Sequence, residues 1–155
     1  MLSRIMDSLD GVFRKIPESL ILFVARFSLA AVFWLSAQTK VDNFAINLIN
    51  MTFHLDWPKI TNATYFLFEY EYNLPILPPD IAAILATFAE HILAVLILIG
   101  LLTRYAAFGL AIMTLVIQIF VYPDAYATHG VWLAICLLLM SKGAGNLSVD
   151  HLIGR

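Results

Sequence analysis

The sequence predicts an all-α integral membrane protein: a four-helix bundle with an N-terminal amphipathic helix and a long external loop between helices 1 and 2. Composition, segment length and one aromatic-rich loop carry this reading. Of 155 residues, 61% are hydrophobic and 13% charged, where soluble domains have about 45–50% and about 25%. Mean hydropathy is +0.86. Four apolar segments approach the roughly 20 residues that cross a bilayer. The length suits one domain over residues 1–155. A net charge of −2 with a pI near 6.0 gives no cationic surface for nucleic acid. The single cysteine, Cys136, excludes an internal disulfide, a CxxC pair and a cysteine-based zinc site.

Residues 1–16 place Leu2, Ile5, Met6, Leu9, Val12, Phe13 and Ile16 on one helical stripe. Arg4, Asp7, Asp10, Arg14 and Lys15 lie mostly off it, as in a helix resting on the membrane surface. The first span is read as 19–37, started by Pro17, whose missing N–H costs nothing at a helix start. The second, 81–102, follows the breaker Pro78-Pro79-Asp80. The third, 105–122, follows the tight turn Thr103-Arg104 and ends before Pro123. The fourth, 127–140, is short by hydropathy, with Tyr126 and Trp132 as interfacial anchors. Residues 39–80 form the one long loop. Its run of Phe44, Leu48, Ile49, Phe53, Trp57, Tyr65, Phe68 and Tyr72 is not linker-like and predicts two short interfacial helices or a folded cap.

An even span count puts both termini on one side. That side carries Arg4, Arg14, Lys15, Arg104, Lys142 and Arg155, and the other only Lys40 and Lys59, which predicts cytoplasmic termini. A cleaved leader is not expected, because Leu35-Ser36-Ala37 is a poor cleavage site.

Polar side chains at membrane depth need partners. Arg26, Glu90 and Gln118 each sit on a stripe of small residues, where membrane helices pack closely. At ~1.5 Å per residue, Glu90 and Gln118 come out ~18 and ~20 Å from their shared turn, and Arg26 ~10 Å up its own helix. An Arg26–Glu90–Gln118 network is therefore expected. It is either an architectural lock on helix register, or a proton relay or polar floor for a quinone or metal site. His91, Trp34 and Phe88 are candidate ligand or quinone contacts around Glu90. In the fourth span His129, Cys136 and Met140 share a face with Trp132, and imidazole, thiol and thioether suit Cu(I). A Cys and a Met on an apolar stripe are usually core, however, and Cys136, mid-span and away from water, is expected to be inert.

Several motifs resemble the DoxX family of bacterial four-helix membrane proteins. They are Ala25-Arg26-Phe27-Ser28-Leu29-Ala30 with Ser36 and Lys40, then Pro78-Pro79 leading to Ala89-Glu90. Gly100-Leu101-Leu102-Thr103-Arg104-Tyr105 and the tail Gly143-Ala144-Gly145-Asn146-Leu147-Ser148-Val149-Asp150-His151 complete the set. Ala37 stands where the family commonly has glycine, and Asn146 where it has a basic residue. The runs Tyr65–Tyr72 and Gln118–Tyr126 are similar to a branch encoded beside enzymes that modify copper-sequestering peptides. The resemblance implies a bacterial inner-membrane protein in envelope redox or metal (copper) stress homeostasis. It also implies links to quinone-coupled oxidation and oxidoreductase complexes, with Arg26, Glu90 and Arg104 as functional or architectural positions. Three functions follow. One is an auxiliary subunit without its own chemistry, partnered with envelope redox or metal-handling proteins. The second is a quinone-reactive oxidoreductase subunit. The third is a small metal transporter, which with four spans needs a homo-oligomer.

Overall fold

The computed structural model describes residues 2–47, 50–75 and 77–155. The expected loop positions Leu48 and Ile49, and the side chains of Leu2 and Arg4, lie outside the described residues. Helix α1 spans Leu2–Phe13, and α2 Glu18–Gln38. A hairpin follows, β1 Val41–Asn47 and β2 Thr52–Ile60, then α3 Asn62–Phe66 running into a π-helical turn Leu67–Tyr72. Next come α4 Pro79–Ile99 and α5 Thr103–Val116, which continues as a second π-helical turn Ile117–Val121. After the 3₁₀ turn Pro123–Ala125 come α6 Tyr126–Lys142 and the short α7 Val149–Leu152.

Among the described residues four helical stretches are long and apolar enough to cross a membrane: Glu18–Gln38, Pro79–Ile99, Thr103–Val121 and Pro123–Lys142. The second ends three residues before the expected boundary, because Gly100 at φ 71° closes it with a left-handed cap. The fourth reaches 20 residues, because the 3₁₀ turn feeds straight into α6 and Gly143 caps the far end. The four main helices form a ring in the order α2, α4, α5, α6. Its core is small and tight: Ala30, Ala94, Ala107 and Leu110 pack with Phe33 and Cys136. The expected small-residue stripes face inward, as Ala83, Glu90 and Ala94 are all buried. Phe27, Ile92, Phe108 and Leu137 stay exposed on the outside of the ring, where acyl chains would cover them. Along α1, Ile5, Met6, Leu9, Val12 and Phe13 are exposed too, so its apolar stripe is not buried against the bundle.

The long loop is not a pair of short helices: its first half is a β-hairpin and only its second half is helical. Asn43 at φ 67° marks a bulge between Asp42 and Phe44. The hairpin is tied down by polar bonds to α2. The Ile46 N–H donates to Gln38 Oε1 at 2.9 Å, and Trp34 Nε1 donates to the Ile46 carbonyl at 3.3 Å. Its base closes at Lys40, whose carbonyl accepts the Thr61 N–H at 3.1 Å and the Thr64 hydroxyl at 3.1 Å. Thr61 then caps α3 by accepting the Thr64 N–H at 3.0 Å. These bonds fix Lys40 just past the end of α2, with its side chain folded back into the bundle.

At the opposite end the chain's last helix grips the turn between α4 and α5. The Asp150 carboxylate accepts the Leu102 N–H at 2.8 Å and the Thr103 N–H at 2.9 Å, capping α5 from across the chain. Burial alone would raise its pKa, but these N–H bonds, Thr103 first, outweigh it and hold the carboxyl below its ordinary value. Arg104 donates to the carbonyls of Met140 and Ser141, tying the start of α5 to the end of α6. Its role as an architectural position thus has a physical basis in two otherwise orphaned helix-end carbonyls.

Candidate functional site

The buried carboxylate of Glu90 pairs with Lys40. Lys40 Nζ lies 2.8 Å from Oε2 and 3.1 Å from Oε1, and both side chains are almost wholly buried. Ser36 completes the group: its hydroxyl accepts from Lys40 Nζ at 2.8 Å and donates to Glu90 Oε1 at 3.3 Å. Lys40 lies four residues beyond Ser36, so both fall on one face even though α2 has ended.

The expected Arg26–Glu90–Gln118 network does not form. Arg26 Nη1 donates to the Leu98 carbonyl at 2.9 Å and to Ile97 at 3.4 Å, and Nη2 donates to Leu147. The cause is depth: Leu98 is eight residues beyond Glu90, ~12 Å along the helix. Gln118 turns the other way, donating from Nε2 to the Pro123 carbonyl at 2.6 Å. That bond leaves its Oε1 as an acceptor, which takes the proton of His129 Nδ1 at 2.7 Å. His129 Nε2 is then a bare acceptor, with no protein partner among the described residues.

Glu90, Ser36 and His129 line one cavity of about 540 Å³, between all four ring helices and the π-helical turns. Phe33, Trp132, Ala86, Ala89 and Met113 supply apolar wall. The volume falls within the range of small-molecule sites, about 300–1,000 Å³. The cavity is capped at the loop end by Tyr72 and Tyr122, whose rings meet edge-on at 5.7 Å, and the Tyr122 hydroxyl donates to Glu71. Burial pushes the Tyr72 phenol above its ordinary pKa against an opposing bond to Tyr122, so it stays a neutral hydroxyl. Both π-helical turns end at this cap, as π-bulges at functional sites often do.

His91, Trp34 and Phe88 line a different groove of about 410 Å³ on the α2–α4 face, with Phe44 and Val41 of the hairpin. His91 has no nitrogen to spare there. Nδ1 donates to the Thr87 carbonyl at 2.8 Å, so Nε2 accepts from Gln38 Nε2 at 3.1 Å. Trp34 and Phe44 pack edge-on against its ring. The fourth-span residues are not gathered round one point. Cys136 and Met140 lie seven and eleven positions past His129, ~10 and ~16 Å along the axis. Cys136 is buried in the core and Met140 packs against that core. No group of three or more His, Cys, Asp or Glu able to hold a metal ion occurs among the described residues. Lys40 stands in the sequence as a family motif residue and an outer-side charge, and its pairing with Glu90 was not expected. The Ser36–Lys40 spacing and the need of Glu90 for a cation were the available signals.

Four apolar helices around a cavity with a buried ion pair define a small multi-pass membrane protein in contact with the lipid bilayer. The chain belongs to the DoxX family, whose sequence model, DoxX, matches residues 21–123. It is also 32% identical over 96 residues to an uncharacterized protein of Haemophilus influenzae, a stretch covering 57% of this chain and 62% of that one. The match thus spans less than two thirds of that relative's length. No solved structure matches the chain significantly. The family match includes Arg26, Ser36, Lys40, Glu90, Arg104 and Gln118, and stops before His129 and the tail.

Proposed function

We propose that this protein is a membrane subunit of a bacterial envelope redox system that holds a quinone-class ligand in the cavity beside Glu90. The observation that carries it is an apolar space of about 540 Å³ with polar groups on its walls. A lipophilic ring with oxygen substituents needs both. Ser36 and Glu90 place oxygen acceptors on one wall, with Lys40 behind them holding the carboxylate. His129 Nε2 offers an acceptor for a ligand hydroxyl, and Gln118 fixes the imidazole tautomer that makes it one. Quinone supplies two-electron chemistry when bound; the chain's own residues bind, orient and exchange hydrogen bonds. The electron-transfer partner is then a second envelope protein, as the family resemblance implies. On this reading the subunit is auxiliary, and any part in copper stress acts through that partner.

Filling the cavity tests the site. Ala89→Trp is expected to leave the purified protein folded but to reduce co-purifying quinone at least about tenfold, because an indole occupies the ligand's volume. Organic extraction and chromatography of wild type and variant decide it. Absence of quinone from wild type, with no saturable quenching of tryptophan fluorescence by added short-chain ubiquinone, sinks the reading.

The location proposed is the inner membrane with both termini cytoplasmic, supported by the six-to-two split of Lys and Arg. Reporter fusions at Lys59 and at Arg155 are expected to report opposite sides. Agreement between the two reporters would overturn the four-span topology.

A further inference from the structure

We propose that the pocket at the tail end of the bundle binds the phosphate of an anionic phospholipid headgroup. This pocket is separate from the cavity of the preceding section, at the other end of the helices. It has a volume of about 260 Å³ and is lined by the α4–α5 turn, the start of α5, the end of α6 and the tail. Arg104, Lys142 and Arg155 bring three cations to it, with His151 beside them. Asp150 also lines the pocket, with both oxygens accepting backbone N–H groups and with Arg155 acting on its charge, and Lys142 pairs at 3.0 Å with the exposed Glu18, which lies outside the lining. Arg104 has no carboxylate partner among the described residues.

Arg104 gives the pocket a fixed donor rather than a loose surface charge. Its Nη1 is held by the carbonyls of Met140 and Ser141. Its Nη2 and Nε lie alongside Gly143, 3.4 and 3.5 Å from where a β-carbon would stand. Among the described residues no protein acceptor takes these two N–H groups, which form the fork that suits two phosphate oxygens.

The position favours a lipid as the source of the phosphate. The spans end at Lys142 and begin at Thr103, so the pocket lies at a membrane boundary, where headgroups are. Exposed Tyr105, Leu147, Leu152 and Ile153 surround it with apolar side chains at the same level. A cationic pocket bordered by exposed apolar residues at a helix end fits a headgroup above and acyl chains beside it.

The test uses the full-length protein in nanodiscs of phosphatidylcholine, with or without phosphatidylglycerol, and native mass spectrometry of the lipids retained on release. Phosphatidylglycerol is expected to be retained in preference to phosphatidylcholine. The double variant Lys142→Gln with Arg155→Gln is expected to lose that preference at least about tenfold, because two of the pocket's three cations are removed. Neither side chain is buried, and thermal unfolding in phosphatidylcholine alone verifies that the variant is folded. The control is Arg14→Gln with Lys15→Gln, which removes two cations from the end of α1 and is expected to leave the preference intact. An unchanged preference in the first double variant overturns the proposal, and so does an equal loss in the control, which would mean diffuse surface attraction. Inorganic phosphate is the remaining arm. Displacement of phosphatidylglycerol by millimolar phosphate would keep the anion chemistry but overturn the lipid as its source.

Discussion

Glu90→Ala is expected to lower stability by about 3–5 kcal/mol, because it leaves the Lys40 ammonium buried without its carboxylate. The Ser36 hydroxyl and carbonyl still accept from Lys40, at 2.8 and 3.2 Å, but neither carries charge. Glu90→Gln is expected to be milder, since the amide oxygen keeps one acceptor in place. Lys40→Met combined with Glu90→Leu should recover most of the loss, as paired buried charges are often replaceable by apolar side chains of similar size. A double-mutant cycle in detergent, read by reversible denaturation, gives the sharper result. Coupling between Lys40 and Glu90 should be large, and coupling between Arg26 and Glu90 close to zero. Strong Arg26–Glu90 coupling would mean that the helices sit at a different relative depth. The recovered Lys40→Met, Glu90→Leu protein also separates two roles. If it folds and retains quinone, the pair is architectural; if it folds and binds none, the pair touches the ligand.

The membrane fold was legible because hydropathy and length are local properties: each span announces itself without reference to the others. The boundaries that shifted did so for local reasons too, the left-handed Gly100 and the 3₁₀ turn at Pro123. The hairpin was not legible. Its β1 segment has no clean alternation, and it is held by a bond from Trp34, inside the first span, and a bond to Gln38, just past that span's expected end. Tertiary partners, not local propensity, decide such a segment.

The candidate site was legible in its members but not in their pairing. Burial on small-residue stripes correctly implied that Arg26 and Glu90 point inward. Arg26 and Glu90 both face inward but not at one level: the carbonyl that Arg26 reaches lies eight residues past Glu90, roughly two helical turns, so the guanidinium meets a helix end rather than the carboxylate. Lys40 escaped because its distance from Glu90 in sequence hides a return of the side chain into the bundle, held from outside by Thr61 and Thr64. His129 was singled out as a soft-metal ligand on the strength of its face. Gln118, eleven residues away and on another helix, holds its Nδ1–H and leaves Nε2 an acceptor, a tautomer that its face alone did not announce.

Gly100→Ala is expected to destabilise the protein by about 2–5 kcal/mol, combining a left-handed backbone with overpacking. Gly100 has φ 71°, and a β-carbon there would stand 2.4 Å from Arg26 Nη1 and 2.5 Å from Ser148 Cβ. Arg26 has no free space to yield. Its Nη1 and Nη2 satisfy the carbonyls of Ile97, Leu98 and Leu147, so moving the guanidinium strips the end of α4 and the tail together. The Gly100 carbonyl accepts the Asp150 N–H at 2.8 Å, so the displaced turn also carries the cap of α5 with it. Arg26→Met should act less severely than removal of a paired charge, because among the described residues no carboxylate lies within ion-pair distance of Arg26, Asp150 acting on it only through its field, and its Nε already lacks a partner. The two changes share one obstruction. The double variant Arg26→Met with Gly100→Ala should therefore be less destabilised than the sum of its parts, while keeping the backbone and Ser148 portions of the cost. Additivity would show that the side chain of Arg26 does not occupy the space over Gly100. A neutral Gly100→Ala would show that the turn is not left-handed there at all.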